Sequence, residues 1–195
     1  MNFYRDIDKY KDNIAVITDR KKRLTYKELV SDSDVLMNNL EKRTVLFLVC
    51  RNCVESICAY IGALRNGIVP VMINEEMNRE LFYNLYNIYK PAYLYGPENW
   101  NNLEQSNPEI IGKYREFVMY RTGFKERHKL NDKLALLLTT SGSTGSPKLV
   151  RQSYVNIVSN AQAIAEYLEL NEGERPITTS PMNYTYGLSI INSHL

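Results

Sequence analysis

Short, uninterrupted apolar runs constrain this chain most. Residues 45–50 read V-L-F-L-V-C, 68–73 read I-V-P-V-M-I, 92–95 read A-Y-L-Y and 134–138 read L-A-L-L-L. Runs of that length are too short for helices, and too continuous for strands with one wet face. They fit strands buried on both faces, as in parallel sheets covered by helices. Between them lie stretches of helical periodicity. Tyr26, Leu29, Val30, Leu36, Met37 and Leu40 mark a helix over 26–40, and further helices are expected over 53–66 and 77–89. The alternation predicts an α/β fold, a largely parallel sheet flanked by helices.

Local signals sharpen the boundaries. Thr25 with Glu28 three residues on forms a capping box at the first helix. Gly67 is a helix stop, and Lys90-Pro91 ends the third helix. A strand is expected over 13–19, followed by Arg20-Lys21-Lys22-Arg23 as a solvated hairpin turn. Residues 96–108 hold two prolines and four asparagines and read as a surface loop. Short strands are expected over 117–120, 149–151 and 177–179, with a charged connection over 121–133. A helix over 154–168 carries an apolar stripe of Tyr154, Ile157, Val158, Ala161, Ile164, Ala165 and Leu168. Another begins near Gly187.

The densest chemical signal follows the fourth apolar run. Thr139-Thr140-Ser141-Gly142-Ser143-Thr144-Gly145-Ser146-Pro147-Lys148 holds six hydroxyl residues, two glycines, a proline and a lysine in ten positions. Glycine lets a ligand approach the backbone closely, and successive amides in such a turn attract anions. Hydroxyls add reorientable donors and Lys148 adds a point charge. A polyphosphate suits this set; an ordinary polar turn is the bland alternative. The spacing is not the G-x-x-x-x-G-K-[ST] phosphate loop, and no G-x-G-x-x-G is present.

The ordered string T-S-G-S-T-G-x-P-K resembles the phosphate loop of the adenylate-forming superfamily, which includes acyl-CoA synthetases, adenylation domains of peptide synthetases and luciferases. Four more elements match in order. Leu24-Thr25-Tyr26-Lys27-Glu28-Leu29 is similar to an L-T-Y-x-E-L element. Residues 62–71 resemble a G-A-x-x-x-G-x-x-x-P element, with Pro70 one position early. Residues 153–157 lead from the loop into a long helix. Residues 180–188 resemble a P-L-x-H-x-x-G-L substrate element. Two departures stand out: Leu149 follows the P-K pair where glycine is usual, and Tyr184 stands where many members have histidine, after Asn183 where an aromatic residue is common.

The resemblance implies an N-terminal part of an AMP-binding domain over 1–195, with a first α/β portion over 1–133 and the phosphate-loop strand, loop and helix over 134–195. It implies that the C-terminal lid domain and the adenosine pocket lie outside this chain. The parent would activate a carboxylic acid as an acyl-adenylate with ATP and Mg²⁺, releasing pyrophosphate. The acyl group would then pass to CoA or to the phosphopantetheine of an acyl carrier protein. Thr140, Ser141, Gly142, Ser143, Thr144, Gly145 and Lys148 would hold the nucleotide's phosphates. Lys148 and Thr144 would act in catalysis, with a surface lysine as the plain reading of Lys148. Tyr184, Tyr186 and Gly187 would border the acid, with packing in a Pro-bounded turn as the alternative for the tyrosines. The piece alone is expected to be inactive and to self-associate through exposed apolar surface. The other functional class is a non-catalytic partner-binding domain of the same fold.

Composition adds exclusions. A net charge of +2 on 195 residues is too small to argue for nucleic acid or membrane as a partner. No apolar segment follows Met1, so a cytoplasmic protein is expected. Cys50 and Cys53 have C-x-x-C spacing, but no second pair exists, and His128 and His194 lack ligand spacing. Buried structural thiols are expected, and no metal site. Tyr83, Tyr86, Tyr89, Tyr93 and Tyr95 are expected to pack rather than stack on bases.

Overall fold

A computed structural model describes residues 2–103, 108–139 and 148–195. Among them, β1 (Ile14–Ile17) and β2 (Arg23–Thr25) form an antiparallel pair joined through the basic turn, where Lys21 takes a φ of 59°. The remaining strands build one seven-stranded sheet. They are β3 (Val45–Cys50), β4 (Val69–Asn74), β5 (Tyr93–Pro97), β6 (Glu109–Tyr114), β7 (Phe117–Arg121), β8 (Leu134–Thr139) and β9 (Leu149–Ser153), in the order β6-β7-β5-β3-β4-β8-β9. The central four, β5-β3-β4-β8, are mutually parallel. Both rims run antiparallel: β7 against β5 and β6, and β9 against β8.

The helices are α1 (Tyr26–Met37), α2 (Val54–Asn66), α3 (Arg79–Tyr89), α4 (Tyr154–Tyr167) and α5 (Thr185–His194). The period of two along each strand divides the core. Leu46, Leu48 and Cys50 of β3 face a cluster with Leu29 and Met37 of α1 and Ile57, Cys58 and Ile61 of α2. Val45, Phe47 and Val49 face the opposite cluster with Phe82, Leu85 and Tyr86 of α3. Every residue of β3 is buried, and each large apolar side chain taken from water contributes roughly 1.5–3 kcal/mol.

Capping chemistry fixes the helix starts. Thr25 Oγ1 accepts from the Glu28 amide while the Glu28 carboxylate accepts from the Thr25 amide at 2.8 Å, the expected box. Ser153 and Asn156 repeat the device at α4. Gly67 ends α2 with a φ of 70°. At Gly62 a Cβ would fall on the Ser33 carbonyl, so α1 and α2 cross at backbone contact. The tyrosine-rich unit packs as expected. Tyr86, Tyr93 and Tyr95 are buried, and the Phe82 ring meets Tyr83, Tyr86 and Trp100 at centroid distances of 5.2, 5.5 and 4.8 Å.

The structure departs from the sequence reading in four places. Residues 177–179 form no strand: Ile177 is 79% exposed, and no described strand pairs with this segment. The first helix ends at Met37 rather than near 40. The chain beyond the 96–108 loop holds an unexpected strand, β6, whose mostly exposed or half-exposed residues gave no apolar run. The α4 stripe is also narrower than the spacing suggests: Ile157 and Ala161 are buried, whereas Leu168 is 55% exposed.

Candidate functional site

The parallel strands share one carboxyl edge, the edge where open α/β sheets bind ligands. β8 leaves the sheet there at Thr139, whose hydroxyl lies 3.5 Å from the Met72 carbonyl of β4. Thr139 is paired with Leu149, the first residue of β9. The two ends of the Ser/Thr/Gly segment are therefore held side by side at this edge. Thr140, Ser141, Gly142, Ser143, Thr144 and Gly145 lie outside the described residues. Lys148 is described: it is exposed and immediately precedes β9.

The same edge carries a second feature that the sequence reading missed. Arg51, just past β3, pairs with Glu75, just past β4; its Nε donates to Glu75 Oε2 at 2.5 Å. Asn52 follows. Its Nδ2 donates to the carbonyls of Thr178 at 2.5 Å and Ser180 at 2.9 Å, and its Oδ1 accepts from the Met182 amide at 3.0 Å. One carboxamide thus holds the segment that leads into α5. The only sequence signal was position, directly beyond a buried parallel strand.

That segment carries the expected substrate residues. Met182 and Asn183 are buried, at 0% and 1% exposure, and the Asn183 side-chain amide has no hydrogen-bond partner among the described residues. Tyr184 precedes α5 in extended conformation, 42% exposed, and Tyr186 is 70% exposed on its first turn. Neither tyrosine is packed in the core. Gly187 is buried, and a Cβ there would strike the backbone carbonyl of Pro181. The structure thus gathers Tyr184, Tyr186 and Gly187 in one short segment and hangs it from the sheet edge through Asn52. His194, which has no partner legible in the sequence, places Nδ1 2.9 Å from the Ile190 carbonyl and 3.1 Å from Ser193 Oγ.

The cysteines sit in protein-filled surroundings. Burial pushes the Cys53 thiol up to about 11 and the Cys58 thiol up to about 12, and raises Cys50 further still. Cys50 donates to the Leu48 carbonyl at 3.3 Å and Cys53 to Ser56 Oγ at 3.5 Å. Thiols protonated this firmly are poor nucleophiles and poor metal ligands.

Fold and edge together define the class: an α/β protein with a mostly parallel sheet and antiparallel rims, in which Thr139 and Leu149, the residues that flank the hydroxyl-rich segment, meet at the carboxyl edge. The chain matches the family of AMP-binding enzymes over residues 3–195, and it belongs to that family. It is 27% identical over 182 residues to a D-alanine–D-alanyl carrier protein ligase of Listeria welshimeri, covering 87% of this chain and 35% of that protein. It is 24% identical over 205 residues to the acyl-CoA ligase sidI of Aspergillus fumigatus, covering 85% and 35%. Among solved structures, VinN superposes with a TM-score of 0.78 at 18% identity, covering 98% of this chain and 52% of that chain. The o-succinylbenzoate CoA synthetase MenE of Bacillus subtilis, in complex with ATP and magnesium ion, gives 0.70 at 18%, covering 98% and 54%. These structural likenesses concern the fold. The chain spans about a third of the length of the curated relatives it matches and about half of the solved chains. No described helix is long and apolar enough to cross a membrane.

Proposed function

We propose that this chain supplies the phosphate-binding part of an ATP-dependent ligase that activates a carboxylic acid as its acyl-adenylate. One carboxylate oxygen of the acid bonds to the α-phosphorus of ATP. The bond from that phosphorus to the bridging oxygen breaks, and pyrophosphate leaves with the electron pair. The acyl group then passes to a thiol, that of CoA or of a carrier protein's phosphopantetheine, and AMP departs. The relatives' printed names, a carrier protein ligase and an acyl-CoA ligase, support both acceptors.

Charge builds on the leaving phosphates, so catalysis needs fixed donors and a cation beside them. Thr140, Ser141, Gly142, Ser143, Thr144 and Gly145 provide the amides and hydroxyls in this reading, and Lys148 the cation. The hydroxyl oxygens are hard donors that suit Mg²⁺, which binds mostly phosphate oxygens and water. When bound, Mg²⁺ would neutralise charge on the phosphates. Tyr184, Tyr186 and Gly187 border the acid. The portions 1–133 and 134–195 would act as one unit in this scheme, because β8 is seated beside β4.

The observation that carries the reading is the pairing of Thr139 with Leu149, which fastens both ends of the hydroxyl-rich segment to the sheet edge. The test is ATP–pyrophosphate exchange on the full-length protein with a panel of carboxylic acids. Lys148→Ala and Thr144→Ala should each lower exchange by about 10²–10³-fold while leaving the fold intact. Unaltered exchange in both variants would remove the assignment. A full-length protein that binds a partner but never releases pyrophosphate would favour the non-catalytic class.

A further inference from the structure

We propose that Asn52 is a positioning residue that sets the acid-facing segment against the sheet edge. The proposal rests on the ligase reading for its consequence and on geometry for its mechanism. Three hydrogen bonds leave one side chain and reach a segment 126–130 positions later: Nδ2 to the carbonyls of Thr178 and Ser180, and Oδ1 from the Met182 amide. Both ends of a planar carboxamide are engaged, so the segment is fixed in rotation as well as in distance.

The exposed anchor has neighbours tied to three elements. Asn52 lies between Arg51, which is tied to Glu75 at the end of β4, and Cys53, which precedes α2 in extended conformation. The Arg51 amide donates to Ser56 Oγ at 3.1 Å inside α2. The clamp therefore refers the 178–182 segment to β3, β4 and α2 at once.

What the clamp holds is the approach to α5. Met182 is fully buried beside the anchored amide. Asn183 follows with a buried side-chain donor that has no partner among the described residues, and then comes Tyr184. No described helix or strand spans 168–184, so this stretch has no helix or sheet ladder to hold its course. Asn52 supplies that course. Releasing it would let the residues bordering the acid drift, while Thr139 stays paired with Leu149. The effect should fall on the acid and spare the nucleotide.

The experiment has two arms. Hydrogen–deuterium exchange on this chain follows the amides of 178–180 and 182–184. Asn52→Ala should speed exchange there by at least tenfold and leave β8 and β9 unchanged. Asn52→Asp keeps the acceptor for Met182 but turns carboxylate oxygen toward two carbonyls, so Met182 should stay protected while 178–180 loosens. Kinetics on the full-length protein form the second arm. Asn52→Ala should raise the KM for the acid about tenfold and hold the KM for ATP within twofold, with Asn52→Asp between wild type and Ala. Unchanged exchange in Asn52→Ala overturns the clamp. Faster exchange with both KM values unmoved, or moved together, overturns the positioning role. A wild-type protein that releases no pyrophosphate with any acid removes the ligase reading and the acid-selecting consequence with it. Amide exchange then still upholds or removes the clamp itself.

Discussion

Tyr60 of α2 donates a hydrogen bond of 2.9 Å to Asn192 Oδ1 of α5, a contact buried at both ends and spanning 132 positions. It ties the helix that follows β3 to α5, whose first turn carries Tyr186 and Gly187. Tyr60→Phe leaves a buried acceptor without its donor and should cost about 1–3 kcal/mol. The melting temperature should fall by roughly 2–4 °C per kcal/mol for a chain of this size. Tyr60→Phe with Asn192→Leu should regain most of the loss, because removing both polar partners is nearly neutral. Urea titration of the two variants checks this; equal destabilisation would count against the bond.

Gly187→Ala should be disruptive although α5 is helical there. The new Cβ would press on the Pro181 and Ser180 carbonyls, which are backbone and cannot swing aside. The cost should be about 1–3 kcal/mol, as for other overpacked sites. Limited proteolysis should cut faster within 170–184. Ser189→Ala, on a half-buried side of the same helix, is the control and should leave cleavage unchanged.

Stability should fall in base. The folded thiols of Cys53 and Cys58 are raised by burial to about 11 and about 12, while unfolded thiols titrate near 9.0. Below pH 9 both states hold the protons and stability is fully present. As pH rises from 9 through 11 to 12 the unfolded chain releases protons that the native one keeps, so the native state loses ground. Burial of Cys50 and Tyr60 acts in the same direction. Urea midpoints should be level from pH 7 to 8.5 and decline between 9 and 11. Cys58→Ala should make the decline shallower.

The 195-residue chain should self-associate. Val155 is 72% exposed, Tyr167 86% and Leu168 55%, all on or just past α4, and Ile177 beyond them is 79% exposed. Large apolar side chains left in contact with water offer area that a second copy can bury. Sedimentation velocity should show a concentration-dependent rise in mean mass that Val155→Lys with Tyr167→Lys reduces. A single monomer species at every concentration would contradict the prediction.

The parallel centre of the fold was legible because burial on two faces writes itself as unbroken apolar runs, and β3, β4, β5 and β8 all carry one. The capping box at Thr25 and the stop at Gly67 were legible because each depends on one residue's chemistry. The rims were not. β6 is an outer strand whose E-I-I-G-K-Y sequence shows a register break between Ile110 and Gly112, which erases any alternation. The β-branched I-T-T at 177–179 has the propensity of a strand but no described pairing strand. At the site, composition exposed the hydroxyl-rich segment. Asn52 stayed invisible because its partners are backbone groups of a distant segment, and attention falls on the neighbouring cysteines.

The seat of β8 beside β4 has a consequence for synthesis. β4 is complete at Asn74, yet its outer neighbour starts only at Leu134. While the ribosome adds the intervening chain, β4 presents unsatisfied amides and carbonyls, the Met72 carbonyl among them, on an open flank, a template for pairing with a stray strand. The nascent protein must keep that flank covered until Leu137 and Leu138 arrive to close it. Long-range parallel pairing of this kind is slow to form. Chaperone demand during translation should therefore peak between the emergence of β4 and that of β8.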